Sequence, residues 1–228
     1  MKIKKYILII AGAVFLVSLL FAILTKNGSK INNIFIGLMG SSLVSFLIEL
    51  PDYYIEYDRN KKNFYSFSFN IWFYLNQYVW LIDNELKEDN KLITENTFSL
   101  NIDEINRFFI SLSYIDEYLY YKNPKYKEFI EKTNKIQFEL NQNKRTFSYY
   151  VNLKKIELLQ TTRNENVKTS DIRSQICTLA EKTKAKLKFY ENEFKKTMTS
   201  RELQTFEKNK DKINEINQKY KEGEMEFI

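Results

Sequence analysis

The chain opens on two apolar runs separated by five polar residues, and after the second run it changes to a 3-4 alternation of apolar and polar positions. The first run, Tyr6 to Thr25, has 20 residues and no charge, about 30 Å of helix and so the thickness of a hydrocarbon core. Lys26-Asn-Gly-Ser-Lys30 is short enough to act as a turn, so the second run, Ile31 to Leu50, returns antiparallel to the first. A cleaved signal peptide is the poorer reading. The first run exceeds the usual apolar length of about 7 to 15 residues, no small-residue cleavage site precedes the turn, and a second apolar run follows at once. Lys2, Lys4 and Lys5 on one flank and Arg59, Lys61 and Lys62 on the other, against Lys26 and Lys30 in the turn, place both chain ends in the cytoplasm. Tyr53, Tyr54 and Tyr57 stand where an interfacial aromatic belt is expected.

Within the second run Asn33, Gly37, Ser41, Ser45 and Glu49 recur at every fourth position. Steps of four drift by about 40° on a helix, so Gly37, Ser41 and Ser45 share a face and Asn33 and Glu49 flank it. Two readings fit. Small residues let the second helix approach the first, or a neighbouring subunit, closely. Hydroxyls ending in a carboxylate also suit a water-filled pore, which two helices can enclose only as an oligomer. Pro51 follows directly and is expected to end or kink the helix there, making it the hinge to the rest of the chain.

Beyond Pro51 the pattern predicts long helices. Phe64, Phe67, Ile71, Tyr74, Leu75, Tyr78, Leu81 and Ile82 define one from about 60 to 88. A loop containing LITENTF separates it from a helix capped at Asn101, with Ile105, Phe108, Phe109, Leu112, Ile115 and Leu119 on one face. Asn123-Pro124 ends that helix, and Tyr126, Phe129, Thr133, Ile136, Leu140, Asn143, Phe147 and Tyr150 follow a heptad rhythm through residues 125–162, as one long helix or two collinear ones. Ser170 caps a helix bearing Leu179, Thr183, Leu187, Tyr190 and Phe194. A Thr199-Ser-Arg-Glu202 capping box opens the last, with Leu203, Phe206, Ile213 and Ile216. The fold class is all-α: a transmembrane hairpin over residues 1–50 (spans 6–25 and 31–50) and a cytosolic bundle of long helices over residues 51–228.

Composition narrows the chemistry. No histidine and one cysteine, Cys177, exclude a Ser-His-Asp triad, a His-bearing zinc site and an internal disulfide. Cys177, beside Ile176, reads as a minor packing residue. Of five glycines only Gly223 lies beyond residue 50, so sheet turns and phosphate-cradling loops are both missing. Adjacent acidic pairs such as Asp103-Glu104 and Asp116-Glu117 solvate helices and do not face each other for acid-base work. No catalytic motif, metal set or cofactor motif is present, and an enzyme is not expected. The net charge of +6 is set mainly by the first 50 residues; residues 52–228 hold 30 basic and 28 acidic side chains. Within them charge is segregated, residues 82–121 being acidic and 122–155 and 182–199 basic.

Two of those basic stretches interleave cations with rings, as single-stranded nucleic acid or a cyclic nucleotide would require. One carries Lys144, Arg145, Tyr149, Lys154 and Lys155; the other carries Lys184, Lys188 and Tyr190. Lysine-rich wet faces of long helices produce the same pattern without a ligand.

A basic N-terminus, a polar-striped hairpin with both ends inside and an all-helical cytosolic part resemble the membrane effectors of bacterial anti-phage defence, and in kind most of all the Hailong effectors. The resemblance is one of architecture, and no residue role is carried over with it. It implies a homo-oligomer, a tetramer or similar, in the bacterial inner membrane, in contact with lipid. It also implies an ion-conducting pore gated by a nucleotide or oligonucleotide, and a partner enzyme that makes the signal. The alternative is a membrane-anchored scaffold or receptor that recruits a protein through coiled-coil-like helices.

Overall fold

The computed structural model describes residues 2–85, 95–115, 117–161 and 170–221, though not every side chain within them. Among these residues there are seven helices and no strand: α1 (Lys2–Leu24), α2 (Lys30–Glu85), α3 (Glu95–Ser113), α4 (Glu117–Lys122), α5 (Pro124–Thr161), α6 (Ser170–Thr197) and α7 (Ser200–Lys221). They fall into two compact units, one of Met1–Phe69 with Phe108–Pro124, the other of Asn70–Arg107 with Lys125–Ile228. Helices α2 and α3 supply residues to both.

Several boundaries differ from the sequence pattern. The second apolar run and the helix expected from about residue 60 are one helix of 56 residues with Pro51 inside it. Proline removes one backbone donor and crowds the preceding turn, yet α2 is not interrupted there, so Pro51 does not end the helix and no break marks it as a hinge. Helix α3 begins at Glu95, so Asn101 is an interior residue and not a cap, and residues 95–98 of the expected loop are helical. The rest of that loop lies outside the described residues. Residues 124–161 form one helix. The capping box at Thr199 is made as its sequence requires: Thr199 N donates to Glu202 Oε2 at 2.8 Å, and Glu202 N donates to Thr199 Oγ1 at 3.4 Å.

In the first unit, α1 and α2 are long and apolar enough to cross a membrane. Gly28, at φ 79°, supplies the left-handed residue of the turn between them, and Ser29 Oγ caps α2 by accepting from Asn32 N at 3.1 Å. The two helices touch at both ends. Phe21 stacks on Phe35 with centroids 4.8 Å apart, and Lys4 pairs with Glu56 at 3.2 Å and Asp52 at 3.6 Å. Further along α2, Phe64 meets Tyr120 and Phe67 meets Phe108. Lys122 lies over the Tyr57 ring at 4.5 Å while Asn123 Nδ2 donates to Tyr57 Oη at 2.9 Å. Of the three tyrosines expected at an interface, Tyr53 is buried against Leu8 and Tyr57, and Tyr54 is exposed.

The second unit is an aromatic core. Trp72 of α2, Phe129 of α5, Tyr190 and Phe194 of α6 and Phe206 of α7 are at most 1 % exposed and meet largely edge to face, Trp72 on Phe206 at 4.8 Å and Phe129 on Tyr190 at 5.3 Å. Its polar seam centres on Glu191, which accepts from Trp72 Nε1 at 3.1 Å and pairs with Lys195 at 2.7 Å and Lys210 at 2.5 Å. Burial pushes the Glu191 carboxyl up, but the hydrogen bonds from Lys195, Lys210 and Trp72 outweigh it and hold the group below its ordinary value. Cys177 is exposed, so it is not the packing residue expected.

Candidate functional site

The five residues spaced by four do not form one face. Asn33, Gly37, Ser41 and Ser45 are exposed, whereas Glu49 is half-buried with Oε2 enclosed and unbonded. The side of α2 turned to α1 follows a seven-residue period through Asn32, Phe35, Met39, Ser42, Phe46, Glu49 and Tyr53, of which Asn32, Ser42 and Tyr53 are buried. Asn32 is the clip: its Nδ2 donates to Ala22 O at 2.8 Å and to Thr25 Oγ1 at 3.1 Å. Ala11 and Ser18 are the buried small residues on α1. Small residues thus do pack the two helices together, but on the face next to the one their spacing suggested.

The Asn33–Ser45 face is exposed among the described residues. A methyl group added at Gly37 or Gly40 would find no atom within 4 Å beyond the backbone of its own helical turns. Ser41 Oγ donates to Gly37 O at 2.9 Å and Ser45 Oγ to Ser41 O at 3.0 Å, so both hydroxyls are satisfied inside the helix. Around them the large apolar side chains of both helices point outward, among them Ile10, Leu16, Leu20, Ile34, Val44 and Ile48.

The candidate anion-binding residues do not converge. Tyr190 is fully buried in the aromatic core, so its ring is closed to any ligand, a correction to the sequence reading. Lys184 bridges to Asp83 of α2 at 2.8 Å and to Glu181 at 3.0 Å, bonds that raise its pKa. Lys144 pairs instead with Asp103 of α3 at 2.8 Å. Arg145, Tyr149 and Lys188 are exposed, and the side chains of Lys154 and Lys155 lie outside those described.

What converges is a set of neighbours one helical step away. A cleft of about 450 Å³ opens between α5 and α6, a volume suited to a small ligand. Lys132 and Lys135 of α5 and Lys182 and Lys186 of α6 line its walls, with Glu139 among them. Ile136, Ala185 and Phe189 complete the lining. On each helix the four contributors fall at i, i+3, i+4 and i+7, one stripe per helix. Lys186 bonds Glu139 at 2.9 Å, and Lys135 approaches the same carboxylate at 3.9 Å. The hydrogen bond from Lys186 is the main cause that holds the Glu139 carboxyl below its ordinary value. Lys132 is held by Glu128 at 2.6 Å and Glu193 at 3.1 Å. The heptad on α5 and the run KTKAKLKF on α6 carry this signal, but only the pairing of the two helices shows which lysines face each other. Among the described residues no group of three or more carboxylates and thiols gathers as a metal site would need. No protein-family model, curated protein or solved structure matches the chain.

Proposed function

We propose that the chain is a homo-oligomeric membrane effector of anti-phage defence. Its N-terminal hairpin spans a bacterial inner membrane with both termini in the cytoplasm, and copies of the hairpin assemble into an ion-conducting pore. A nucleotide or oligonucleotide on the helical part gates that pore. The observation that carries this reading is the Asn33–Gly37–Ser41–Ser45 face, which is small, polar and unused by α1. With packing against α1 assigned to the Asn32–Ser42 side, the remaining partners for this face are other copies or water. Polar groups facing lipid are disfavoured, and a ring of copies resolves that by turning them inward. A ligand that prefers one arrangement of the helices shifts the pore between states by its difference in affinity.

A second reading has its own support. Because Ser41 and Ser45 donate to their own helix, they need no water, and the same face can serve as a dry seam in a membrane-anchored scaffold that recruits a protein partner. Dye leakage from liposomes holding the full-length protein, with and without short single-stranded oligonucleotides, separates the two. Leakage that responds to oligonucleotide and changes in Ser41→Leu supports the pore; a tight membrane, with reconstitution verified, favours the scaffold.

A further inference from the structure

We infer that the α5/α6 cleft is a nucleotide site, in which a phosphate lies among Lys135, Lys182 and Lys186 and a base stacks on Phe189. This deepens the ligand-gated reading and rests on it for biological meaning, but it stands on separate observations. The cleft combines the two recognition elements such a ligand needs, cations and an accessible ring, in one open groove. Phe189 is 44 % exposed although large, and it has no ring partner among the described residues. Lys182 has no acidic partner among them either, and Lys135 reaches Glu139 only at 3.9 Å with its side chain 83 % exposed. Lys132 is the committed cation, bonded on both sides by Glu128 and Glu193. Glu193 also pairs with Lys196.

Glu139 gives the assignment its distinctive consequence. Its carboxylate occupies Lys186 and attracts Lys135, so it holds the place an incoming phosphate would take. It is an internal competitor that the ligand displaces. Removing its charge should therefore tighten binding.

The test is fluorescence anisotropy of the full-length protein in detergent with a fluorescein-labelled hexathymidylate, with ATP and inorganic phosphate as unlabelled competitors. Lys135→Glu with Lys182→Glu is expected to weaken binding at least tenfold and to flatten its salt dependence by about 0.7 for each phosphate no longer neutralised. Phe189→Ala should weaken it about tenfold, and Glu139→Gln should tighten it several-fold. Lys188→Glu, exposed and outside the cleft, serves as the control and should change binding little. Competition by ATP but not by phosphate marks the base as part of the recognition. Equal binding in the wild type and all cleft variants overturns the assignment, as does a wild type that binds neither hexathymidylate nor ATP. Binding only to vesicles of anionic lipid would overturn it in favour of a membrane surface. Run beside the leakage assay, the variants separate the two ideas. Leakage that responds to oligonucleotide equally in wild type and cleft variants removes the cleft and leaves the pore. Binding that disappears in the cleft variants while every membrane stays tight keeps the cleft and removes the pore.

Discussion

The apolar N-terminal helices and the second unit bury different things. Along α1 and the first half of α2 the enclosed side chains include Ser18, Asn32 and Ser42, while Leu16, Ile23, Leu24 and Ile48 stand outward. In the second unit Trp72, Tyr190, Phe194 and Phe206 are enclosed and the lysines stand outward. Such a contrast fits the proposed setting, in which the apolar helices face hydrocarbon and the rest of the chain faces water. Hydrocarbon offers no gain for turning Leu inward, so packing of small residues and hydrogen bonds hold the helices together; water drives the aromatic rings inward instead.

The strongest way to break that contrast is to remove apolar volume from each side. Phe194→Ala, at a site that is 0 % exposed and against Phe129, Tyr190 and Phe206, should destabilise the second unit by about 3–5 kcal/mol. Ile48→Ala, on the outward face of α2, should leave thermal unfolding in detergent nearly unchanged. Similar losses in both would mean that the outward face of α2 is packed in the isolated protein, and the two-solvent account would fall.

Acid sharpens the comparison next, because the second unit carries an ionic seam and the Asn32 clip is uncharged. The Glu191 carboxyl is held below its ordinary value of 4.5, so its pKa is lower folded than unfolded. Its stabilisation is therefore complete above about pH 4.5 and is lost as pH falls through the folded value below it. Charge-assisted hydrogen bonds are worth about 1.5–3 kcal/mol each. Urea unfolding followed by the tryptophan signal should thus give a midpoint that falls below pH 4.5 in the wild type and falls less in Glu191→Gln. An equal slope in both would show that the seam is not what acid titrates.

How much of this is legible in the sequence follows from the same division. In the second unit the 3-4 spacing identifies Phe129, Thr133, Ile136, Leu140, Leu179, Thr183 and Phe194 as interior positions, because in water the buried stripe is the apolar stripe. Tyr190 sits on that stripe. Its phenol suggests a stacking platform, since phenols also serve at surfaces, but its period is the better guide than its chemistry. Along the two apolar runs nearly every position is apolar, so the pattern gives no inside. The four-residue series from Asn33 is the regularity the eye finds, whereas the packing follows seven residues and passes through Asn32. Pro51 misleads for another reason: proline costs a helix one donor and crowds the preceding turn, but that local cost does not by itself end a helix of 56 residues, and α2 passes through it. The cleft needs tertiary pairing, since nothing in the spacing tells which face of α6 opposes Lys135.

The register of the hairpin can be tested at smaller cost to the fold. Asn32→Ala removes the donations to Ala22 of α1 and to Thr25 just beyond it and should lower stability in detergent by about 0.6–1.7 kcal/mol, the range for such bonds between membrane helices. Asn33→Ala, on the exposed side, should leave the packing of α1 on α2 unchanged. Crosslinking gives the same answer independently: in a Cys177→Ser background, Phe21→Cys with Phe35→Cys should close within a chain. Ser41→Cys should join two chains only. If Ser41→Cys fails to form dimers in the membrane, neither pore nor seam lies on that face.

The smallest effect concerns Lys184, and it separates a lysine that holds the fold from one that serves a ligand. Lys184 lies between Asp83 and Glu181 with its side chain 38 % exposed. Partly exposed pairs of this kind contribute at most about 1 kcal/mol. Lys184→Gln should therefore shift unfolding slightly, with the loss reduced in high salt, and should leave hexathymidylate binding within a factor of about two, because its charge is already committed. Lys182→Gln should do the reverse, changing binding and not stability. The two residues are two positions apart on one helix and carry the same charge, so composition cannot tell them apart. Their different helical faces can, and a side-by-side measurement in which both variants weakened binding equally would return the site to a diffuse basic surface.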